Sequence, residues 1–453
     1  VKAELRARGV SFGSASDGIF ALDPVPRLLT GDEWSELQAG VVQRLRTLDA
    51  FVADVYGERR IVSEGIVPAR VIEGAEYFEP AMQGIRPPGD LWIGIGGLDL
   101  VRDADGRFAV LEDNVRTPSG ISYVLENRVA MTRLLPGLFT EYHVRPVDHY
   151  PQLLLAALRA VAPAAEGEAT VVVWTPGPLN SAYFEHAFLA RQMGVELVEA
   201  SDLVVRDATC YIRTTHGLQR VHAIYRRIDD DFMDPLEFRP DSLLGVPGLM
   251  RAYRAGTVAI VNAVGTGVAD DKAVYHYVPA MIRYYLGEEP ILDNVPTYLM
   301  TDAEQRGWVI DRLGEMVVKP TSESGGTGVF IGPTASDEEV ARQAEELTRR
   351  PERWIAQELV RLSTVPTAGA DGSLAPRHVD LRPFAVFGDD IRIVPGGLTR
   401  VALKAGSLVV NSARGGGTKD TWVLEDELAA AAAQTRSRGT GRQARPRSQG
   451  AAC

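Results

Sequence analysis

Residues 317–332 read VVKPTSESGGTGVFIG, and the fold turns on how this stretch is understood. The alternation predicts a strand over Glu315–Lys319, a Gly/Ser loop, and a second strand over Val329–Ile331. Such a hairpin loop, Ser324-Gly325-Gly326-Thr327-Gly328, can bring backbone N–H groups against phosphate oxygens, because glycine permits close approach and positive φ. Lys319, delivered by the strand, would supply a compact positive charge to the same oxygens. The stretch is not a P-loop: no G-K-[ST] closes it, and a strand rather than a helix follows. A flexible hairpin with an incidental lysine is the plain alternative. Lysine usage weighs against it. Among 48 Lys+Arg, only Lys2, Lys272, Lys319, Lys404 and Lys419 are lysine. The retained lysines mark places where an ammonium does what a planar guanidinium cannot, although for Lys2 chance suffices.

Working outward, residues 107–114 read RFAVLEDN. Two apolar runs, Leu91–Val101 and Arg107–Glu112, flank Asp103-Ala104-Asp105-Gly106, which has the composition of a β-hairpin turn. Glu112 and Asn114, two apart, project from one face of their strand, and pairing across the turn can bring Asp99 beside them. Two carboxylates and an amide oxygen are hard ligands suited to a magnesium that keeps other positions for water and phosphate. A solvated acidic hairpin end is an equal alternative on this motif alone.

Three weaker signals accompany these. Residues 261–267, VNAVGTG, lead into Asp270-Asp271-Lys272, where Lys272 is either a second phosphate contact or a surface lysine at a helix start. Trp354–Val360 is expected to be a strand leaving the core, and Gln357, Glu358 and Val360 lie where such a hinge can meet an adenine edge. Arg226, Arg227, Arg382 and Arg400 are candidates for an acidic substrate or a transferred phosphoryl group. Structural ion pairs with neighbouring acids, such as Asp230, account for them equally well. No H-E-x-x-H, G-x-S-x-G or Cys/His pairing points to a hydrolase.

The chain of 453 residues is 45% hydrophobic, which is long enough for two or three domains with their own cores. Its formal charge of −12 disfavours a general nucleic-acid partner. That charge becomes about −17 once the five arginines of the acid-free segment 434–453 are set apart. Two cysteines, Cys210 and Cys453, exclude a disulfide framework and a four-thiolate zinc site. Cys210, in an apolar stretch, is expected to be buried and inert. No apolar run reaches the ~20 residues of a membrane span, and the first residues lack a signal-peptide layout. A cytoplasmic protein is the default expectation. A capped helix is predicted from Thr30 to Tyr56, and another over Ile121–Leu135. A β-loop-α-β unit begins near Thr170, with a strand at Val171–Trp174, a helix at Ser181–Met193 and a strand at Val195–Val198. It lacks the G-x-G-x-x-G of a dinucleotide fold. Further strands are expected over Val379–Phe387, Ile391–Val394 and, last, between Thr399 and Val410. From about Glu425 the pattern dissolves into a tail expected to be disordered.

Taken together, these pieces resemble the circularly permuted ATP-grasp proteins related to the synthetase part of glutathionylspermidine synthase. The resemblance covers about residues 10 to 424. It is carried by LEDNVRTPSG (Leu111–Gly120), YRRIDDDF (Tyr225–Phe232), VVKPTSESGGTGVFIG (Val317–Gly332) and NSARGGGTKDTWVL (Asn411–Leu424). In the usual ATP-grasp order the lysine and glycine loop precede the Glu-x-Asn motif; here that motif comes first, which marks the permutation. The resemblance implies an α/β (α+β) fold, an ATP-grasp fold in permuted order with an additional α/β pre-ATP-grasp-like domain. The expected division is a metal-hairpin portion over 1–165, the α/β domain over 166–265, a nucleotide-binding portion over 266–424 and the tail over 425–453.

The same resemblance implies roles. Asp99, Glu112 and Asn114 would hold Mg2+. Lys272 and Lys319 would contact ATP phosphates, with Ser324, Gly325, Gly326, Thr327 and Gly328 as a lid. Gln357, Glu358 and Val360 would meet the nucleoside. Arg382 and Arg116 would face an acyl phosphate, and Ser119, Arg226, Arg227, Asp230 and Arg400 are candidate substrate contacts. The implied activity is an ADP-forming carboxylate–amine ligase taking a small amino-acid or peptide carboxylate and an amine, with no nucleic-acid or membrane partner. Two alternatives stand beside it: ATP chemistry that stops at phosphorylation, and a catalytically idle nucleotide-binding module serving a partner protein. The amidase part of glutathionylspermidine synthase has no counterpart, so its substrates do not carry over.

Overall fold

The computed structural model describes residues 5, 9–10, 21–103, 105–322, 327–369, 372–403, 410 and 416–425. Lid positions Ser324, Gly325 and Gly326, Ala104 of the hairpin turn, Lys404 and the tail beyond 425 lie outside the described residues.

The long helix Gly31–Tyr56 begins where the capping box predicts. Glu33 N donates to Thr30 Oγ1 at 3.2 Å, and Thr30 N donates to Glu33 Oε2 at 2.9 Å. A cap of this kind is worth about 1 kcal/mol. Its apolar stripe, Trp34, Leu37, Val41, Leu45, Leu48, Val52 and Val55, is buried, in a core cluster that also takes Ile224 and Ile260 of the neighbouring sheet.

That sheet is parallel, in the order Ala259–Val261, Ala223–Arg226, Val171–Trp174, Glu196–Val198. Val171–Trp174 is buried along its whole length, as an inner strand covered on both faces must be. Helix Tyr183–Met193 makes the crossover and stops at Gly194, whose φ of 69° lies in the left-handed region. Thr175, Arg227 and Asn262 follow the carboxyl ends of three of these strands, the edge where open α/β sheets place ligands.

A second four-stranded sheet runs Asp293–Asn294, Phe108–Glu112, Asp99–Arg102, Asp380–Leu381. Its register sets Asp99 directly opposite Glu112, with an irregularity before Leu100. A third, antiparallel sheet runs Thr297–Leu299, Trp354–Glu358, Met316–Pro320, Phe330–Ile331. It carries a small core of its own, from Met300 to Ala356. The capping box at Ser336 starts helix Asp337–Arg349, which covers it.

Three expectations need correction. The run 91–101 is not one strand: Ile95–Gly97 pairs with Phe384–Phe387, and Asp99–Arg102 pairs with Phe108–Glu112. The chain changes sheets at buried Leu98. Val379–Phe387 divides likewise into Asp380–Leu381 and Phe384–Phe387, because Pro383 has no N–H to continue a ladder. Among the described residues the last strand is Gly417–Val423, beyond the expected window; within that window Thr399–Val401 is a strand, and 404–409 lie outside the described residues. Gly417–Val423 is wholly buried, parallel to Leu22–Leu29 and antiparallel to Thr399–Val401.

Gly417–Val423 escaped the hydrophobic pattern because most of its buried side chains are polar and find partners inside the fold. Asp420 accepts from Arg128 Nε at 2.9 Å and from Trp422 Nε1 at 2.7 Å. Lys419 Nζ donates to Asp23 Oδ1 at 2.6 Å and to the carbonyls of Val25 and Pro366, both at 2.9 Å. Three acceptors around one ammonium explain why a lysine, and not arginine, stands here. Among the described residues no helix is long and apolar enough to cross a membrane. Cys210 is buried and unpaired, and burial pushes its thiol up to about 12. Removing the partner of Lys419 strands a buried charge, so Asp23→Ala should cost about 3–5 kcal/mol in urea unfolding. Asp241→Ala, at an exposed pair with Arg239, should leave the midpoint unmoved.

Candidate functional site

Two cavities meet between the sheets. The first, of about 190 Å³, has apolar walls that include Val101, Leu111, Val317, Val329, Ile331 and Leu362, closed at one end by Gln357–Val360. Its polar floor contains Glu112, Lys272, Lys319 and Arg400. Lys319 sits on Met316–Pro320, beside Ile355 of the next strand. Burial is the largest influence on its ammonium and pulls it down to about 8, against the opposing attraction of Glu112.

Lys272 opens the short helix Lys272–Tyr275, whose cap is Asp271, accepting from Ala273 N at 2.7 Å and Val274 N at 3.3 Å. Burial pushes the Asp271 carboxyl up to about 6. Lys272 Nζ lies 3.8 Å from Glu112 Oε2, and its backbone N–H donates to Thr321 O at 3.0 Å, tying it to the strand end that carries Lys319. At the opposite end, Tyr298 donates its hydroxyl to Glu358 Oε1 at 2.7 Å, and its ring stacks on Trp308 at 4.7 Å. Gln357 Nε2 reaches Thr297 Oγ1 at 3.1 Å.

The second cavity, of about 540 Å³, is lined by Asn114, Arg116, Ser119, Tyr123, His186, Arg227, Asp229, Asp270 and Arg382 among others. Glu112 and Arg400 line both cavities. Asn114 and Lys319 therefore face adjoining spaces joined through two shared side chains.

Asp99 lies at this junction, fully buried. Arg382 grips it with Nε at 2.5 Å and Nη2 at 2.8 Å, and Arg400 Nη2 adds a third contact at 2.7 Å. Burial would push the carboxyl up; the charge of Arg382, then of Arg400, outweighs it and holds the group well below the usual carboxylate range. Arg400 is bound in turn to Asp380. Both oxygens of Asp99 thus face guanidinium groups. Among the described residues no three His, Cys, Asp or Glu side chains gather as a metal cage. Glu112 and Asn114 are the oxygen donors left facing the junction. The buried Asn114 amide nitrogen, a donor, has no hydrogen-bond partner, which agrees with a donor kept for an oxygen of a group bound in the cavity, the amide oxygen being the atom that suits a cation. One carboxylate and one amide fit a magnesium whose remaining positions go to phosphate and water.

Sequence reasoning missed the residues that shape the second cavity. Glu185, on helix Tyr183–Met193, accepts from Gly120 N at 2.8 Å, Ser122 N at 3.0 Å and Ser122 Oγ at 2.9 Å. It thereby caps helix Ile121–Leu134, which has no cap of its own. Its other oxygen meets Arg227, which also binds Pro118 O at 2.8 Å and the Ser119 hydroxyl. The parallel sheet thus holds the loop carrying Arg116 and Ser119. An acid inside the apolar run Tyr183–Leu189 was the available signal. Asn262 adds a second stitch: Oδ1 accepts from Gly94 N and Ile95 N at 2.8 Å, and Nδ2 donates to Ile95 O at 2.7 Å and Val115 O at 2.6 Å.

Arg226 and Asp230 are not among the residues lining either cavity. Arg226 spends its donors on the carbonyls of Asn262, Ile228 and Ala263, and pairs with Asp230 at 3.1 Å. Burial, then Arg227, drives His186 down to about 2, so its ring is neutral. Burial pushes Asp270 up to about 7, although it accepts from Val115 N at 2.6 Å.

The antiparallel sheet with its lysine strand, facing a second sheet that ends in Glu112 and Asn114, defines an ATP-grasp protein in permuted order. The chain belongs to the circularly permuted ATP-grasp type 2 family, whose profile matches residues 26–402. It is 55% identical to an uncharacterized protein of Synechocystis, over 92% of this chain and 88% of that one. It is 46% identical to the Frankia casuarinae protein named "Putative glutamate–cysteine ligase 2-2", over 93% of this chain but only 49% of that protein, so it spans about half of that relative. A glutathione synthetase-like effector of Globodera pallida, in its apo form, shares the fold with a TM-score of 0.62 at 11% identity, over 93% of this chain and 95% of that one. Tyr298→Phe deletes only the hydroxyl that orients Glu358. It should weaken ATP binding about three- to ten-fold by calorimetry without moving the thermal midpoint.

Proposed function

We propose that this chain is an ATP- and magnesium-dependent carboxylate–amine ligase, ADP-forming, acting on a small amino-acid or peptide carboxylate. The observation that carries this reading is the junction of the two cavities. Glu112 and Arg400 border both, so a nucleotide in the first would present its terminal phosphate to a carboxylate in the second. The first cavity suits a nucleotide in its parts, with an apolar slot for a base, a hinge at Gln357–Val360, and two lysines on the floor. The family membership and the ligase name of a longer relative agree with this chemistry.

The roles follow from charge and position. Lys272 and Lys319 take phosphate oxygens, and Arg382 and Arg400, locked by Asp99 and Asp380, face the phosphoryl group as it moves. Their rigidity means that little reorganisation is needed when charge develops. Magnesium held by Glu112 and Asn114 would neutralise phosphate charge and align the phosphoryl group. The substrate carboxylate attacks the γ-phosphorus and ADP leaves. The amine then attacks the acyl carbon, inorganic phosphate departs, and the amine's proton passes to solvent or a nearby base. No activated side-chain nucleophile is needed, because the work is positioning and charge neutralisation. Arg116 and Ser119, on the loop held by Arg227, border the acid's path.

The direct test incubates the protein with Mg-ATP, pooled carboxylates and hydroxylamine. Hydroxamate with ADP is the expected outcome; AMP with pyrophosphate, or tight ATP binding without turnover, would overturn the reading. Lys319→Ala should lose ATP affinity, whereas Glu112→Gln should lose turnover more than affinity; unchanged kinetics in both would refute the site. The lowered pKa of Lys319 gives a further check. Near pH 8.5 the free protein holds this group largely neutral, and a triphosphate beside it raises its pKa, so binding takes up a proton. Calorimetry in buffers of differing ionisation enthalpy should detect this uptake at pH 8.5, and should find it gone near pH 6.5 and in Lys319→Met.

A further inference from the structure

We propose that the part of the second cavity lined by Arg116 and Asp229 recognises the amino-acid head of the acid substrate, which is therefore an amino dicarboxylate reacting through its side-chain carboxyl. The inference rests on the ligase reading and specifies its substrate.

This part of the wall is built around Arg116. Its guanidinium carbon sits over the Tyr77 ring, 3.7 Å from the ring centre. The backbone leaves room for this stack: a Cβ at Gly267 would fall 2.6 Å from Tyr77 Cβ and 2.8 Å from Arg116 Cδ. A flat, supported guanidinium is pre-organised for a planar carboxylate. Its Nη1 lies 3.1 Å from Asp229 Oδ1, yet Nη1 and Nε are buried without a hydrogen bond. Asp229 lines the same cavity, and its side chain remains 49% exposed.

A guanidinium edge beside an accessible carboxylate offers both signs at once. A simple anion would bring like charge against Asp229, and a simple amine would do so against Arg116. A zwitterion satisfies both, its α-carboxylate on Arg116 and its α-ammonium on Asp229. The guanidinium groups of Arg382 and Arg400, which line the same cavity, then call for a second carboxylate on the same molecule.

The test compares L-aspartate with succinate and L-glutamate with glutarate as acids, in the Mg-ATP and hydroxylamine assay. Each pair matches chain length and differs in the ammonium. For at least one length, kcat/KM for the amino acid should exceed that for the plain diacid by about ten-fold or more, and Asp229→Asn should abolish that preference. Because Asp229 is half exposed, the variant should keep its thermal midpoint. Plain diacids used as well as their amino counterparts, or a preference that survives Asp229→Asn, would overturn the inference while hydroxamate formation left the ligase reading standing. No hydroxamate from any acid, including the wider carboxylate pool, would remove both.

Discussion

A carboxylate buried between two guanidinium groups organises this molecule. Asp99 has no water to stabilise its charge, so Arg382 and Arg400 must supply the compensation, and breaking either contact leaves an ion stranded in low dielectric. The three side chains come from separate segments: the hairpin beginning at Asp99, the turn after Leu381, and strand Thr399–Val401. Holding them together fixes how the hairpin that ends in Glu112 meets strand Thr399–Val401 and the turn after Leu381. The same contacts aim two arginines at the junction of the cavities before anything binds.

This arrangement suits chemistry that depends on placement. Side chains already locked in their ion pairs need not reorganise when a phosphoryl group transfers. The parallel sheet contributes at a distance. Through Glu185 and Arg227 it shapes the loop from Arg116 to Gly120, and through Asn262 it grips the segments leading into and out of the hairpin Asp99–Glu112. The parallel sheet thus sets walls of the second cavity.

Much of this was legible in residue order. The helix from Thr30, the parallel strand at Val171–Trp174, the Glu112/Asn114 pair and the Lys319 strand all announce themselves through capping, periodicity or rarity. What stayed hidden depended on tertiary context. The role of Asp99 is set by arginines 283 and 301 positions away, and no local pattern distinguishes a metal ligand from an arginine partner. Gly417–Val423 reads as polar although it is entirely buried, because its charges find partners only in the finished fold. Lys419 belongs with these: its rarity signalled a special site, and that site turned out to be an internal ion pair. Arg226 carries charge like its neighbour Arg227, but only the three-dimensional chain turns it onto three backbone carbonyls and Asp230.

The pairing of Leu22–Leu29 with Gly417–Val423 has a consequence for biosynthesis. The bond between Asp23 and Lys419 spans 396 positions, so the early strand emerges from the ribosome long before its neighbour exists. Until Gly417–Val423 has been made and has cleared the exit tunnel, that edge stays open and prone to mispairing. Closure of this sheet therefore waits on a segment synthesised nearly four hundred residues after the strand it joins.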